Sequence, residues 1–216
     1  MRTYVSPIGY DTRRVIRPVV NTGLSPEDSV QLLRPSEGSD EERATQAIAD
    51  VEQLLQEIEP TATVEITQVS TDSFEETVLG CCELLADIPE EGQSIVSLGG
   101  GARDILLPLT IASLVFAREI DTALFFSDLD SSVREWSLPT LTAHVPERAA
   151  ETFRELVAAD EWVSLSSLAT DTDQSKSTIV RHVNALEETG VVETESTGKA
   201  KRARVSFSGE LCWLAP

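Results

Sequence analysis

The stretch Ser97-Leu98-Gly99-Gly100-Gly101-Ala102-Arg103-Asp104 constrains this chain more than any other. It follows a short apolar run ending at Val96 and leads into an apolar, helix-length segment at 105–116. A strand, three consecutive glycines, an arginine and a helix place backbone where a ligand can approach closely. Glycine lacks the Cβ that would block the approach, and the first amides of a helix favour an anion.

Periodicity on either side of this turn supplies the rest of a domain. Residues 3–8, 28–33, 63–69, 93–98 and 122–126 read as strands, with helices at 12–21, 44–58, 73–85 and 105–117 between them. The clearest helix carries Ala44, Ala47, Ile48, Val51, Leu54, Leu55 and Ile58 on one face at 3.6-residue spacing, and Pro60 stops it. Residues 133–143 are expected to add a strand or hairpin, broken at Pro139. Strands alternating with helices predict an α/β, mostly parallel sheet with right-handed crossovers. In the doubly wound order 3-2-1-4-5, the first and fourth strands lie side by side at the switch point. The turn Pro7-Ile8-Gly9-Tyr10-Asp11 and the glycine turn would then line one crevice.

At Pro146 the pattern changes. Residues 147–159, 166–170 and 174–188 read as helices, followed by extended segments at 191–194 and 203–207 around Ser196-Thr197-Gly198. That is the order of an α+β winged helix-turn-helix, so the expected division is a Rossmann-like domain at 1–145 and a second domain at 146–216. In the third helix Ile179, Val183 and Leu186 must face the core. Ser175, Lys176, Ser177, Thr178, Arg181 and His182 remain on the open face. Short hydroxyls with two bases suit the major groove of double-stranded DNA. The acid-free stretch 196–209 offers Lys199, Lys201, Arg202 and Arg204 for DNA backbone or minor-groove contacts.

Overall charge does not argue against that partner. The net charge is −20, and lysine occurs only at 176, 199 and 201, a composition typical of salt-loving, halophilic proteins. At molar salt, screening over roughly 3 Å removes most repulsion between separated carboxylates. The three cysteines form no CxxC pair, and Cys81 fits an apolar stripe with Phe74, Val78 and Leu85, so buried packing is its expected role. We expect no metal and no cofactor. The absence of a long apolar run or signal-peptide core suggests a cytoplasmic protein without a membrane partner. Asp128 and Asp130 follow the fifth strand, where a carboxylate can meet a ribose. The only histidines, His144 and His182, pair with no evident nucleophile, so no catalytic residue is assigned.

With Pro-Ile-Gly-Tyr-Asp after the first strand, SLGGGARD after the fourth and a C-terminal winged helix, the chain resembles the archaeal CRISPR-associated CARF transcriptional regulators. The resemblance implies a homodimer binding a cyclic oligoadenylate, usually cyclic tetra-adenylate, across its two-fold axis. Pro7, Gly9, Tyr10, Ser97, Leu98, Gly99, Gly100, Gly101, Arg103 and Asp104 would form each half-site. Arg103 matches the family's basic residue, and Gly9-Tyr10 its Gly-Phe turn. Where many members carry Asn and Thr, this chain has Ser97, Gly99 and Ala102. Two other functions remain open: a ring nuclease cleaving the cyclic ligand with Ser97, Arg103 and Tyr10, and a redox sensor binding a dinucleotide.

Overall fold

Burial on both faces marks β1 (Arg2–Pro7) and β4 (Gln93–Ser97) as the centre of a sheet. A parallel strand covered on both sides reads as a continuous rather than an alternating apolar run, as Ile95-Val96 does here. The computed structural model describes residues 1–36, 41–89, 91–197 and 200–215. In it β1 and β4 are flanked by β2 (Ser29–Pro35), β3 (Thr63–Val69), β5 (Thr122–Phe126) and β6 (Val133–Trp136), in the order β3-β2-β1-β4-β5-β6. The first five strands are parallel, in the doubly wound order 3-2-1-4-5. The sixth runs antiparallel on the edge, where Phe125 and Trp136 stack at 4.1 Å.

Two helices cover each face. On one, α1 (Arg13–Thr22) and α2 (Glu41–Ile58) bury Val15, Val19, Ile48, Val51 and Leu55 against Tyr4, Val30, Leu32 and Ile95. On the other, α3 (Phe74–Ala86) and α4 (Arg103–Val115) bury Cys81, Leu85, Ile105 and Leu109 against Val5, Leu33 and Val96. Each such side chain contributes about 1.5–3 kcal/mol of burial. At the amino ends of the strands, buried Asp28 accepts bonds from the Arg2 and Ser25 backbone amides and from Arg2 Nε. This clamp ties the chain's first residues to the start of β2.

Three expectations need correction in this unit. Residues 137–143 add no strand, because Pro139 cannot donate to a ladder and Leu138 turns inward onto the α3–α4 core. Phe74 does not belong to the buried stripe of α3; it is 54% exposed, while Cys81 and Leu85 are buried. The chain divides into compact units at Met1–Leu138 and Pro139–Pro216, so residues 139–145, read as part of the first domain, group with the second. The Thr140 amide donates to Ser208 Oγ there, and Ala143 and Val145 pack on that unit's core.

The second unit holds a 3₁₀ turn (Glu147–Ala149), α5 (Ala150–Ala159), β7 (Val163–Ser164), α6 (Leu165–Asp171), α7 (Lys176–Glu188), and the antiparallel pair β8 (Val192–Thr197) and β9 (Ala200–Val205). Phe153, Leu156, Leu165, Leu168, Ile179, Val183 and Leu186 form its core. Ser175 caps α7 by accepting from the Thr178 amide. A final helix, α8 (Phe207–Leu214), replaces the extended end expected for residues near 207. Ser206 caps it, and Gly209 lets it approach so closely that a Cβ there would stand 2.1 Å from the Val191 carbonyl oxygen.

Candidate functional site

The two turns after β1 and β4 meet. A Cβ on Gly9 would lie 3.1 Å from Gly101 Cα, so their backbones are in contact at the switch point. Each glycine of the trio has a packing reason of its own. A Cβ would fall 2.4 Å from Phe126 N at Gly99, 2.7 Å from Arg14 Cβ at Gly100 and 2.5 Å from Pro7 Cβ at Gly101. Gly101 also has φ +85°, where an L side chain is strained. These glycines serve the turn's own packing before any ligand's.

The expected ligand residues therefore separate into two groups. Pro7, Ser97, Leu98, Gly99 and Gly100 are buried. Leu98 packs on the α3–α4 core and its amide is spent on the Leu124 carbonyl. At the surface stand Tyr10, Arg103 and Asp104, with Gly9 and Gly101 half-buried. Arg103 is exposed, and no ion pair among the described residues engages it. Ala102 at the N-cap gives α4 no side-chain acceptor for its first amides. That end is free to take an anion. Arg43 of α2 lies 4.5 Å over the Tyr10 ring, covering one stacking surface.

Of the residues at this crevice, Ser97 was expected from sequence, whereas Ser6 and Arg14 were not. The hydroxyls of Ser6 and Ser97, 2% and 5% exposed, have no hydrogen-bond partner among the described residues. They stand one step beyond the paired Val5 and Val96, so the register sets them side by side. A buried hydroxyl left unpaired costs about 1–3 kcal/mol. Arg14 is the larger omission. Its guanidinium donates to the Gly99 carbonyl at 2.9 Å, pairs with Asp128 at 2.6 Å and Asp11 at 3.4 Å, and lies over the Phe126 ring. Arg17 bonds the Ser131 carbonyl in the same β5–β6 loop. Arginines in the first turns of a helix oppose its dipole, so Arg13, Arg14 and Arg17 were a legible signal that nearby carboxylates hold them.

Two carboxylates of these loops, Asp11 and Asp130, are acidified. Hydrogen bonding from Arg13, followed by its charge, holds Asp11 below the usual range. Asp130 lies well below it through bonds from Ser132, Ser127 and Arg134. It is committed to its own loop rather than to a ribose; Asp128 instead faces Arg14.

In the second unit, Ser175, Lys176, Ser177 and Arg181 are exposed, with Thr178 half-buried. His182 belongs to the seam with α5: its Nδ1 lies 2.9 Å from Oγ1 of buried Thr152. Burial, then the charges of Arg181 and Arg148, lower its pKa, so the ring is neutral near pH 7. The hairpin is less basic than its sequence. Lys201 pairs with Glu187, Arg202 with Glu195 and Arg204 with Glu193. The latter two acids sit on the facing strand, just upstream of the acid-free stretch. Lys199 lies outside the described residues. Among the described residues no helix is long and apolar enough to cross a membrane.

Residues 2–133 match the family described as the Csa3 CRISPR-associated Rossmann-like domain. Among solved structures, Csm6 of Enterococcus italicus bound to cyclic hexa-2'-fluoro-hexa-dAMP is similar, with a TM-score of 0.50 and 10% identity. The match covers 87% of this chain and 49% of that one, so the chain spans about half the length of that Csm6. Protein VC1899 from Vibrio cholerae gives a TM-score of 0.46 and 11% identity, over 98% of this chain and 65% of that one. At such identities the likeness concerns the fold. No curated protein matches the chain significantly.

Proposed function

The chain belongs to the family of Csa3 CRISPR-associated Rossmann-like (CARF) domains, and from that premise we propose a dimeric, ligand-responsive DNA-binding regulator of CRISPR-associated genes. Its first unit senses a cyclic oligoadenylate; its second, a winged helix-turn-helix, binds duplex DNA. The observation that carries the sensing half is the open amino end of α4, with an exposed Arg103 beside it, engaged by no ion pair among the described residues, and the Gly9-Tyr10 turn opposite. Helix amides and a guanidinium are donors for phosphate, and the free part of Tyr10 is a stacking surface for adenine.

A two-fold homodimer would present this half-site twice to a two-fold ring. Exposed Phe74, Leu79 and Leu107 of α3 and α4 are apolar surface that a second copy could cover. For DNA, the supporting features are the helix-turn-helix order of α6 and α7 and, on the open face of α7, Lys176 and Arg181, which no ion pair among the described residues engages. The acidity also lies mainly elsewhere. Twenty-five of the 37 acidic residues fall in the first unit, and the second carries eight bases against twelve acids.

Linkage makes the proposal testable. If ligand on the first unit changes DNA affinity, DNA must change ligand affinity by the same factor. Calorimetry with a panel of cyclic oligoadenylates, with and without duplex, measures both arms; equal affinities in each pair would defeat the coupling. Gel shifts of the Lys176→Ala, Arg181→Ala double variant test the helix assignment, because retained binding would refute it. Linear products from labelled ring, lost in Arg103→Ala, would assign ring cleavage instead.

A further inference from the structure

Resting on the DNA-binding reading, we propose that the cleft between the 3₁₀ turn and α7 is a seat for a DNA backbone phosphate, walled by Arg148 and Arg181. The cleft has a volume of about 490 Å³ and is lined by Arg148, Arg181, His182, Asn184, Ala185 and Glu188. Arg148 lies outside every segment that the sequence marks as a nucleic-acid contact.

Free cations distinguish this cleft from the hairpin. Neither Arg148 nor Arg181 has an ion pair among the described residues, whereas Lys201, Arg202 and Arg204 each have one. A guanidinium without a carboxylate partner can turn its fork to a phosphate without first breaking a pair. The cleft thus has an advantage in polyanion binding over the basic stretch that the sequence emphasises.

His182 supplies a local reporter and a third donor. Its Nδ1 is anchored on Thr152, which leaves Nε2 as the ring nitrogen available to the cleft. Arg181 on α7 and Arg148 on the 3₁₀ turn both disfavour its protonation, while Glu151 on α5 favours it. A phosphate between the arginines offsets their repulsion, so binding draws a proton onto the ring. Glu188 is the one carboxylate in the lining and opposes an anion. Replacing it with Gln is expected to tighten binding.

The test uses the full chain and a fluorescein-labelled duplex of mixed sequence, followed by anisotropy over a salt series. Arg148→Ala should weaken binding about tenfold and lower the log–log salt slope by about 0.9, one phosphate contact. Arg154→Ala on α5 removes the same charge outside the cleft lining and should keep the wild-type slope. Equal slopes for the two variants would overturn the seat and leave DNA binding standing. Failure of the wild type to bind any duplex would overturn the reading beneath it as well. With two histidines in the chain, proton NMR follows each ring separately. Duplex should raise the titration midpoint of His182 and leave that of His144 in place. An unmoved His182 midpoint in a sample with bound duplex would refute the seat directly.

Discussion

Arg14 Nη1 stands 2.6 Å from Asp128 Oδ1 and 2.9 Å from the Gly99 carbonyl oxygen, so one guanidinium joins α1, the glycine turn and the β5–β6 loop. An anion arriving at the end of α4 would compete with Asp128 for that arginine. The competition would reach the β5–β6 loop, a route by which a bound ligand could alter the rim of its own site.

Removing the competitor should help the ligand. Asp128 is two-thirds exposed, so its pair with Arg14 is worth at most about 1 kcal/mol. Asp128→Ala is therefore expected to tighten cyclic tetra-adenylate binding by up to about fivefold. Calorimetry checks this, and weaker binding would assign Asp128 a direct contact with the ligand.

Arg103→Ala should separate binding from stability. A charge-assisted bond to phosphate is worth about 1.5–3 kcal/mol, so affinity should fall roughly ten- to a hundredfold. Because no ion pair among the described residues engages Arg103, the thermal midpoint should stay unchanged. A large fall in Tm would give Arg103 a structural role instead.

Gly99→Ala should do the reverse. Its Cβ would meet the Phe126 backbone at 2.4 Å, and neither strand end can yield without disturbing the ladder between β4 and β5. Overpacking of this kind costs about 1–3 kcal/mol, readable as a lower urea midpoint without any ligand present.

Cys81 gives a pH dependence. Burial, with the neighbouring Cys82 second, pushes its thiol up to about 11. An unfolded cysteine ionises near pH 8.5, so the unfolded state gains from deprotonation first. Stability should fall as pH rises above about 8.5, by at most about 1.4 kcal/mol per pH unit from this group, and the effect should level off near 11. Cys81→Ala should flatten that limb in urea titrations at several pH values.

The −20 net charge predicts a salt response. Raising potassium chloride from low to molar concentration screens carboxylate repulsion and should raise Tm. A midpoint that falls with salt would show the ion pairs outweighing that repulsion, and would remove the basis for a halophilic reading.

Periodicity alone was sufficient for the layers of the first unit. Residues 63–69 and 122–126 coincide with β3 and β5, and the apolar face of α2 is buried from Ala47 to Leu55. Alternating elements and crossover handedness also narrowed the sheet to a few doubly wound orders; the folded chain takes 3-2-1-4-5, the one that brings the turns at Gly9 and Gly101 together. Those signals are short-range, and sequence carries them directly.

Only the tertiary structure decided what the charges do. The acid-free stretch 196–209 looked basic because sequence lists neighbours along one strand, whereas Arg202 and Arg204 meet Glu195 and Glu193 across the hairpin. Arg14 became the hub of the crevice through Gly99 and Asp128, residues far from it in the chain. Gly209 allowed a terminal helix where a strand end was expected, because Val191 leaves no room for a side chain. Pattern and turn chemistry set the scaffold locally; Coulombic pairing and close packing act through space, between residues that only the folded chain brings together.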